Sequence, residues 1–164
     1  MPSDHDYMLR ALDLARAAAS MGEVPVGAVI TRDDQILAEA HNRRECDKSP
    51  FAHAEFLAIQ QACKAINDWR LERCTLYITL EPCPMCAGLI VNARIPRVVF
   101  AAPDPKAGAA GTLMNLLEDP RLNHRCEVIR GLLSAESAEL LTSFFRTLRA
   151  ASGAPSPREG VGGG

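Results

Sequence analysis

Two short motifs constrain this 164-residue chain more than any other feature, because their side chains must meet in space if the motifs act together. The first motif is His53-Ala54-Glu55 and the second is Pro82-Cys83-Pro84-Met85-Cys86. Imidazole nitrogen and thiolate sulfur are favoured zinc ligands, and three protein ligands leave the fourth tetrahedral position open for water. The sequence therefore predicts a fold that gathers His53, Cys83 and Cys86 around one catalytic Zn²⁺ ion per chain.

Both motifs are predicted to lie at helix starts. Pro84 suits the first position of a helix, which places Cys83 near the N-cap, and His53 opens an alanine-rich segment of helical periodicity. Helix starts direct backbone N–H groups and the positive end of the helix dipole toward the metal, which favours thiolates. Zinc lowers the pKa of a bound water, and a carboxylate beside the metal can carry the proton that this water gives up, so Glu55 is predicted to be the proton shuttle.

Each motif alone has another interpretation. A single Cys-x-x-Cys can be a thioredoxin-type redox pair, and His-x-Glu at a helix start commonly caps the helix or faces solvent. Together, however, they match the H-x-E…P-C-x-x-C pattern of zinc-dependent nucleobase deaminases. The other four cysteines are scattered and are predicted to be structural small hydrophobes: Cys46, Cys63, Cys74 and Cys126.

Periodicity and turn residues predict alternating helices and strands. The predicted elements are a helix at 4–19, a hairpin of strands 26–31 and 35–40, a loop at 41–52, a helix at 53–65, a strand at 75–80, a helix at 85–91, strands at 97–102 and 126–130, a short helical turn at 113–117, and a final helix capped by Ser134. The apolar face of that last helix is predicted to be Ala138, Leu141, Phe144, Phe145 and Leu148.

This order of elements predicts a three-layer α/β fold over residues 1–151, with helices on both faces of a central mixed sheet of about five strands. The sheet is expected to be mostly parallel, with an antiparallel hairpin at its beginning. Residues 152–164 are rich in Gly, Pro and Ser and are predicted to form a disordered tail.

Charge and hydropathy narrow the partners. A net charge of −2 argues against non-specific binding of polyanions. The charge is unevenly distributed, because residues 1–93 carry 9 basic and 13 acidic side chains and residues 94–149 carry 8 basic and 6 acidic side chains. Any nucleic-acid contact is therefore expected in the second half. The sequence has neither a long apolar run nor a basic, then apolar, leader, which predicts a cytoplasmic protein without a membrane partner.

From about residue 7 to residue 149, the chain resembles the bacterial tRNA-specific adenosine deaminases. The matching segments are residues 23–29, 41–43, 52–55, 81–88, 106–111, 123–124 and 144–146. The Gly/Ala-rich loop after Lys106, the Asn123-His124 pair and the Phe-Phe-Arg helix look specific to the tRNA enzymes. The resemblance implies a cytidine deaminase-like fold, a homodimer, and hydrolytic conversion of the wobble adenosine in a tRNA anticodon to inosine.

The resemblance also implies which residues contact the anticodon stem-loop. The Asn42 carboxamide could donate to and accept from a flipped purine, or could be an ordinary strand-ending residue. Lys106 could meet a phosphate or could be a solvated loop lysine. The whole candidate set is Asn42, Ala54, Asp104, Lys106, Asn123, Phe145, Arg146 and Arg149.

Adjacent positions cannot share one helix face, so one of Phe144 and Phe145 is expected to point away from the core. An exposed ring could stack on an unpaired base while Arg146 and Arg149 pair with anticodon-loop phosphates. The alternative is a dimer or core aromatic beside two solvated arginines.

Two residues depart from the family pattern. Phe51 stands where these enzymes usually carry a small or hydroxyl residue, which could reshape the pocket rim, and Ser137 stands where cysteine is common.

The main alternative function is deamination of a free base or nucleoside such as cytosine, guanine or cytidine. A remote alternative is a non-catalytic zinc module that binds RNA, but such a module would have no use for Glu55.

Overall fold

The computed structural model describes residues 1–153 and contains four helices and five strands in that range. In chain order these are α1 (Asp4–Ser20), β1 (Gly27–Arg32), β2 (Gln35–His41), α2 (Ala54–Ile66), β3 (Cys74–Leu80), α3 (Pro84–Asn92), β4 (Arg97–Ala102), β5 (Glu127–Arg130) and α4 (Ser134–Ser152). The predicted strands and all four long helices are confirmed to within a few residues.

The five strands form one sheet in the order β2-β1-β3-β4-β5. Strand β1 pairs antiparallel with both β2 and β3, whereas β3, β4 and β5 run parallel. The expectation of a mostly parallel sheet is therefore wrong, since two of the four pairings are antiparallel. The hairpin inserts β1 rather than β2 beside β3, and periodicity within a strand carries no information about that direction.

Helices cover both faces of the sheet, which confirms the three-layer fold. Alternate residues of β1 point to opposite sides. Ala28 and Ile30 belong to the core cluster that includes residues of α2 and α3, and Val29 belongs to the cluster beneath α1. Helix α4 packs on the α1 side, where it contacts β4 and α1.

The close approach of α1 to β1 depends on a glycine. A Cβ added at Gly27 would lie 2.0 Å from the Ala11 carbonyl oxygen. The start of α1 is fixed separately, because both guanidinium Nη atoms of Arg97 donate to the Asp4 carboxylate and the Tyr77 hydroxyl donates to the same group. These contacts hold α1 on the face of the sheet opposite to α2 and α3.

The C-terminal third departs from three sequence predictions. Residues 113–117 form no helical turn and instead belong to an irregular loop closed by a bridge between Ala110 and Asn115. Helix α4 begins at Ser134, but its N-cap is Leu133 in the left-handed conformation, with φ +57°, so Ser134 does not cap it. Backbone strain at one apolar residue was not visible in the sequence.

The buried face of α4 is also rotated from the predicted one. Ser137 is the fully buried residue of this helix, and its hydroxyl donates to the Thr79 carbonyl oxygen over 2.5 Å, whereas Ala138 is exposed. Leu141 and Phe144 are half-buried, while Phe145 and Leu148 are exposed. The most buried residue of α4 is thus a hydrogen-bonded serine and not an apolar side chain.

The scattered cysteines mostly behave as predicted. Cys74 and Cys126 are buried and Cys63 is half-buried, but Cys46 is exposed in the loop that precedes α2.

Of the predicted tail, Ser152 still belongs to α4, and residues 154–164 lie outside the described residues. No helix within residues 1–153 combines the length and the apolar character that crossing a membrane requires.

Candidate active site

The three predicted metal ligands come together at the edge of the sheet where β3 ends. Nδ1 of His53 lies 3.6 Å from Sγ of Cys83 and 3.6 Å from Sγ of Cys86, and the three donor atoms all lie within 4.8 Å of one another. Tetrahedral zinc with bonds of about 2.1 Å to nitrogen and 2.3 Å to sulfur would separate those donors by about 3.6 Å. The donor set and its spacing therefore fit a zinc ion.

Helix starts position these donors, as the sequence predicted. His53 is the N-cap of α2, and Cys83 is the N-cap of α3 with Pro84 in the first turn. Neither N-cap side chain forms a capping hydrogen bond, which leaves the imidazole and the thiol turned toward the site. Cys86 lies one turn into α3 and is buried. Contacts with Cys86 and His53 lower the pKa of the Cys83 thiol to about 4 against the opposing effect of burial, and the same contact raises the pKa of Cys86, so Cys83 is the thiolate of this pair.

Glu55 lies in the first turn of α2 and is 4% exposed. Burial raises the pKa of its carboxyl to about 7. Its side chain lines the same cavity as His53 and Cys83. The carboxyl is thus held beside the donor cluster in a place that excludes most water.

The cavity beside the donor cluster has a volume of about 210 Å³. It contains three of the predicted substrate-contacting residues, namely Asn42, Ala54 and Asp104. Its other lining residues are Val24, Val26, Arg44, His53, Glu55, Leu80, Glu81, Cys83 and Ala107. The mixture of apolar walls and few polar groups is typical of a small-ligand site.

Asn42 is 8% exposed and already has two intramolecular partners. Its Nδ2 donates to the Val24 carbonyl oxygen over 3.2 Å, and its Oδ1 accepts from the Arg44 backbone N–H over 3.1 Å. A carboxamide carries two N–H bonds and two acceptor lone pairs, so each end can form one more hydrogen bond. Asn42 is therefore held rigidly while it keeps polar capacity for a ligand.

A second cavity, of about 220 Å³, shares Val24, Asn42 and Arg44 with the first. Its other side is formed by α4 through Phe144, Phe145 and Leu148. Phe145 is the exposed ring of the aromatic pair and Phe144 the half-buried one, as predicted. The structure thus brings the C-terminal helix next to the wall of the metal-site cavity.

The remaining predicted contact residues lie outside both cavities. Lys106, Asn123 and Arg146 are exposed, and Arg149 is half-buried. His124, the neighbour of Asn123, bonds through Nε2 to the Ile95 carbonyl oxygen over 2.7 Å. Their position relative to a large substrate remains a prediction.

Three residues near the site were not singled out from the sequence. Arg44 lines both cavities. Glu23 is fully buried and accepts from the backbone N–H groups of Glu45 and Cys46, while Glu81 is 2% exposed and accepts from the loop that follows β4. Glu81 directly follows an apolar strand and Glu23 precedes one, which was the available signal, but their backbone partners cannot be identified from sequence.

The two departures from the family pattern lie away from the donor cluster. Phe51 is 57% exposed, stacks on Phe56 with ring centroids 5.9 Å apart, and lines neither cavity. Ser137 is the buried residue of α4 described above. Neither position therefore alters the metal site directly.

The open five-stranded sheet, the helices on both faces and the donor cluster at two helix starts define a deaminase of the cytidine deaminase-like class. The sequence model of the MafB19-like deaminase family matches residues 2–149. A tRNA-specific adenosine deaminase from Bacillus subtilis is 53% identical over 149 residues, which cover 91% of this chain and 92% of that protein.

Two solved structures allow a comparison of folds. One, from a study of A-to-I editing by tRNA:A34 deaminases, is 42% identical, has a TM-score of 0.80, and is matched over 82% of this chain and 98% of its own. A guanine deaminase from Bacillus subtilis is 31% identical, has a TM-score of 0.59, and is matched over 93% of this chain and 96% of its own. The chain belongs to the family of tRNA-specific adenosine deaminases.

Proposed function

We propose that this protein hydrolytically deaminates the wobble adenosine of a tRNA anticodon to inosine and releases ammonia. The observation that carries the proposal is the buried carboxylate of Glu55 in one cavity with a donor set of zinc spacing. Family membership supports the choice of substrate over the free bases. Formation of inosine in an anticodon stem-loop by the purified protein tests it.

The chain's own residues divide the chemistry. His53, Cys83 and Cys86 would hold Zn²⁺, which supplies an activated water at neutral pH. Glu55, which lines the same cavity, takes one proton from the attacking water and passes it to the purine ring nitrogen, and then takes the second proton from the same oxygen and passes it to the amine, so that the C–N bond breaks and ammonia leaves. Without that delivery the amine would have to leave as amide ion, so Glu55 is the proposed catalytic residue.

The cavity walls hold the base. The free hydrogen-bonding capacity of Asn42 suits the edge of an adenine that has been flipped out of the anticodon loop. Ala54 and Asp104 are the other proposed contacts inside the cavity. The limited volume of about 210 Å³ suits one extruded base and not a stacked pair.

The flanking nucleotides are proposed to lie along α4. Phe145 faces the second cavity, which opens beside Asn42, so a base next to the flipped adenosine can stack there. Arg146 and Arg149 follow on the same helix and are proposed to contact phosphates, together with Lys106 and Asn123. A free-base deaminase would not need this surface.

We expect the double change Arg146→Ala and Arg149→Ala to weaken stem-loop binding about tenfold and to reduce the salt slope by roughly one unit per lost phosphate contact. Alanine is the best helix former, so α4 should persist. Binding measured by fluorescence anisotropy at several salt concentrations checks this.

Arg70→Ala with Arg73→Ala is the matched control. These exposed arginines are also three positions apart and remove the same charge, but they lie at the start of β3, at the end opposite to the metal site. The control should retain the parental salt slope. Equal salt slopes of stem-loop binding in the two double variants would mean that the arginines of α4 face solvent and do not contact RNA phosphates.

We also propose a homodimer in the cytoplasm. Exposed apolar side chains, including Phe51 and Leu113, each 57% exposed, provide surface that a second copy could cover. The proposed tRNA substrate supports the location.

A further inference from the structure

Glu81 lies between β3 and the metal ligand Cys83. Its carboxylate accepts hydrogen bonds from the loop that follows β4, which comprises residues 103–112. Its Oε1 accepts from the Asp104 N–H over 3.1 Å and from the Thr112 hydroxyl. Its Oε2 accepts from the Ala110 N–H over 3.0 Å and from the Thr112 N–H over 3.1 Å. One buried carboxylate thus satisfies four donors of a single loop.

The same stretch of chain holds the loop a second time. The carbonyl oxygen of Pro82, the next residue, accepts from the Ala109 N–H over 2.9 Å. The residue after that is the metal ligand Cys83. Three consecutive residues, Glu81, Pro82 and Cys83, therefore link the 103–112 loop to the donor cluster. These contacts fix the position of the loop relative to the metal ligands.

The loop packs so closely against the Glu81 carboxylate that there is no space for a side chain at Gly108. A Cβ added at Gly108 would lie 2.4 Å from the Glu81 carboxyl carbon and from Oε2. On the outer side, the Arg130 guanidinium donates to the Ala110 carbonyl oxygen over 2.9 and 3.1 Å. The loop is thus clamped between a buried anion and a more exposed cation.

The clamped loop carries part of the proposed base-binding wall. Asp104 and Ala107 line the cavity, and Asp104 Oδ1 accepts from the backbone N–H groups of Lys106 and Ala107. Glu81 holds the Asp104 N–H, and Asp104 in turn shapes the tip of the loop. A shift in this chain of contacts would move the wall relative to Glu55 and the metal ligands.

We propose that Glu81 is a positioning residue that fixes the base-binding loop at a set distance from the metal site. The inference rests on the proposed function, because the loop matters to turnover only if a base binds in this cavity. Preorganisation of this kind acts on substrate binding and alignment, since misplacement of a reacting group by about 1 Å can cost about a hundredfold in rate.

Glu81→Gln tests the inference. An amide nitrogen cannot accept a hydrogen bond, so in either orientation of the amide two of the four donors lose their acceptor. We expect a KM for the anticodon stem-loop about tenfold higher, a smaller fall in kcat, parental zinc content, and faster hydrogen exchange at the Ala110 and Thr112 amides.

Thr112→Val is a milder variant that removes one of the four donors. It should raise KM about two- to threefold, and the double variant should exceed Glu81→Gln by less than the product of the single effects, because both changes break one shared contact. Tyr77→Phe is the control for general destabilisation. It removes a partly buried hydrogen bond to Asp4, on the other face of the sheet, and should leave KM and loop exchange at parental values.

Parental KM and parental amide exchange in Glu81→Gln would overturn the inference, as would equal changes in Tyr77→Phe. Should Glu81→Gln fail to fold, Thr112→Val decides by the same two measurements. A parent protein that forms no inosine would instead count against the proposed function, and the amide exchange data would still show whether Glu81 fixes the loop.

Discussion

Replacing Glu55 by alanine should lower the rate of inosine formation by about a thousandfold or more while zinc and the stem-loop remain bound. Glu55 is buried beside the donor cluster, and a positioned proton carrier typically contributes factors of about 10² to 10⁴. The shuttle acts mainly in the transition state, so ground-state binding should change little. Single-turnover rates, metal content and the dissociation constant of the stem-loop check the three parts.

Glu55→Gln sharpens this test, because glutamine keeps nearly the same shape but cannot carry a proton. It should lose about as much activity as Glu55→Ala. The thermal transition of Glu55→Gln should stay close to that of the parent, since glutamine fills nearly the same buried volume as glutamate. Near-parental turnover in either variant would assign proton transfer to another group.

Apart from the predicted metal ligand His53, His41 is the histidine nearest to Glu55 in the sequence. In the structure its Nδ1 lies 2.9 Å from the Asn42 carbonyl oxygen, and His41 does not line the cavity. His41→Gln should therefore keep most of the parental activity and serves as a control for Glu55.

Changing Cys83 or Cys86 to serine should remove zinc and activity together. A hydroxyl at neutral pH is a far poorer zinc ligand than a thiolate, and two remaining donors cannot complete the three-ligand set. We expect close to one zinc per chain in the parent and less than about a tenth of that in each variant. Atomic absorption on purified protein, together with inosine formation, measures both.

Cys126→Ser provides the matched control. Cys126 is buried outside the site, and its thiol contacts the Ile95 carbonyl oxygen at 3.2 Å, a contact that serine can replace. It should retain zinc and activity. Full activity without bound zinc in Cys83→Ser would contradict the mechanism, and a stable Cys83–Cys86 disulfide with redox activity would favour the thioredoxin-type alternative.

The sequence predicted the donor cluster because its geometry is almost entirely local. Pro84 and the N-cap preferences place Cys83 and Cys86 on one helix start, and His53 opens another, so only the meeting of two helix starts depended on the fold. The orientation of β1 beside β3 was not predictable in this way, since hydrophobic periodicity shows which faces are buried and not which strands pair.

The sequence did not predict the orientation of α4 or the loop contacts of Glu23 and Glu81, for a different reason. Ser137, the most buried residue of α4, is a polar residue that donates to Thr79, so the hydrophobic pattern predicted Leu141 and Phe144 on the inner face but missed the residue at its centre. Glu23 and Glu81 act through backbone N–H groups, which every residue except proline carries. Residue types do not show which N–H groups a carboxylate will accept from, and the exposed side chain of Arg146 likewise has no packing signature.

The most direct test of the account uses the purified protein with one stem-loop that carries adenosine at the wobble position. The same assay contains parallel samples with that adenosine moved one position along the loop, with free adenosine, and with guanine and cytosine. Inosine is read by nucleoside analysis and ammonia by a coupled assay. The account predicts equal amounts of inosine and ammonia from the wobble substrate and little product from the others. Rapid deamination of guanine or cytosine with an unedited stem-loop would contradict it and would establish the free-base deaminase.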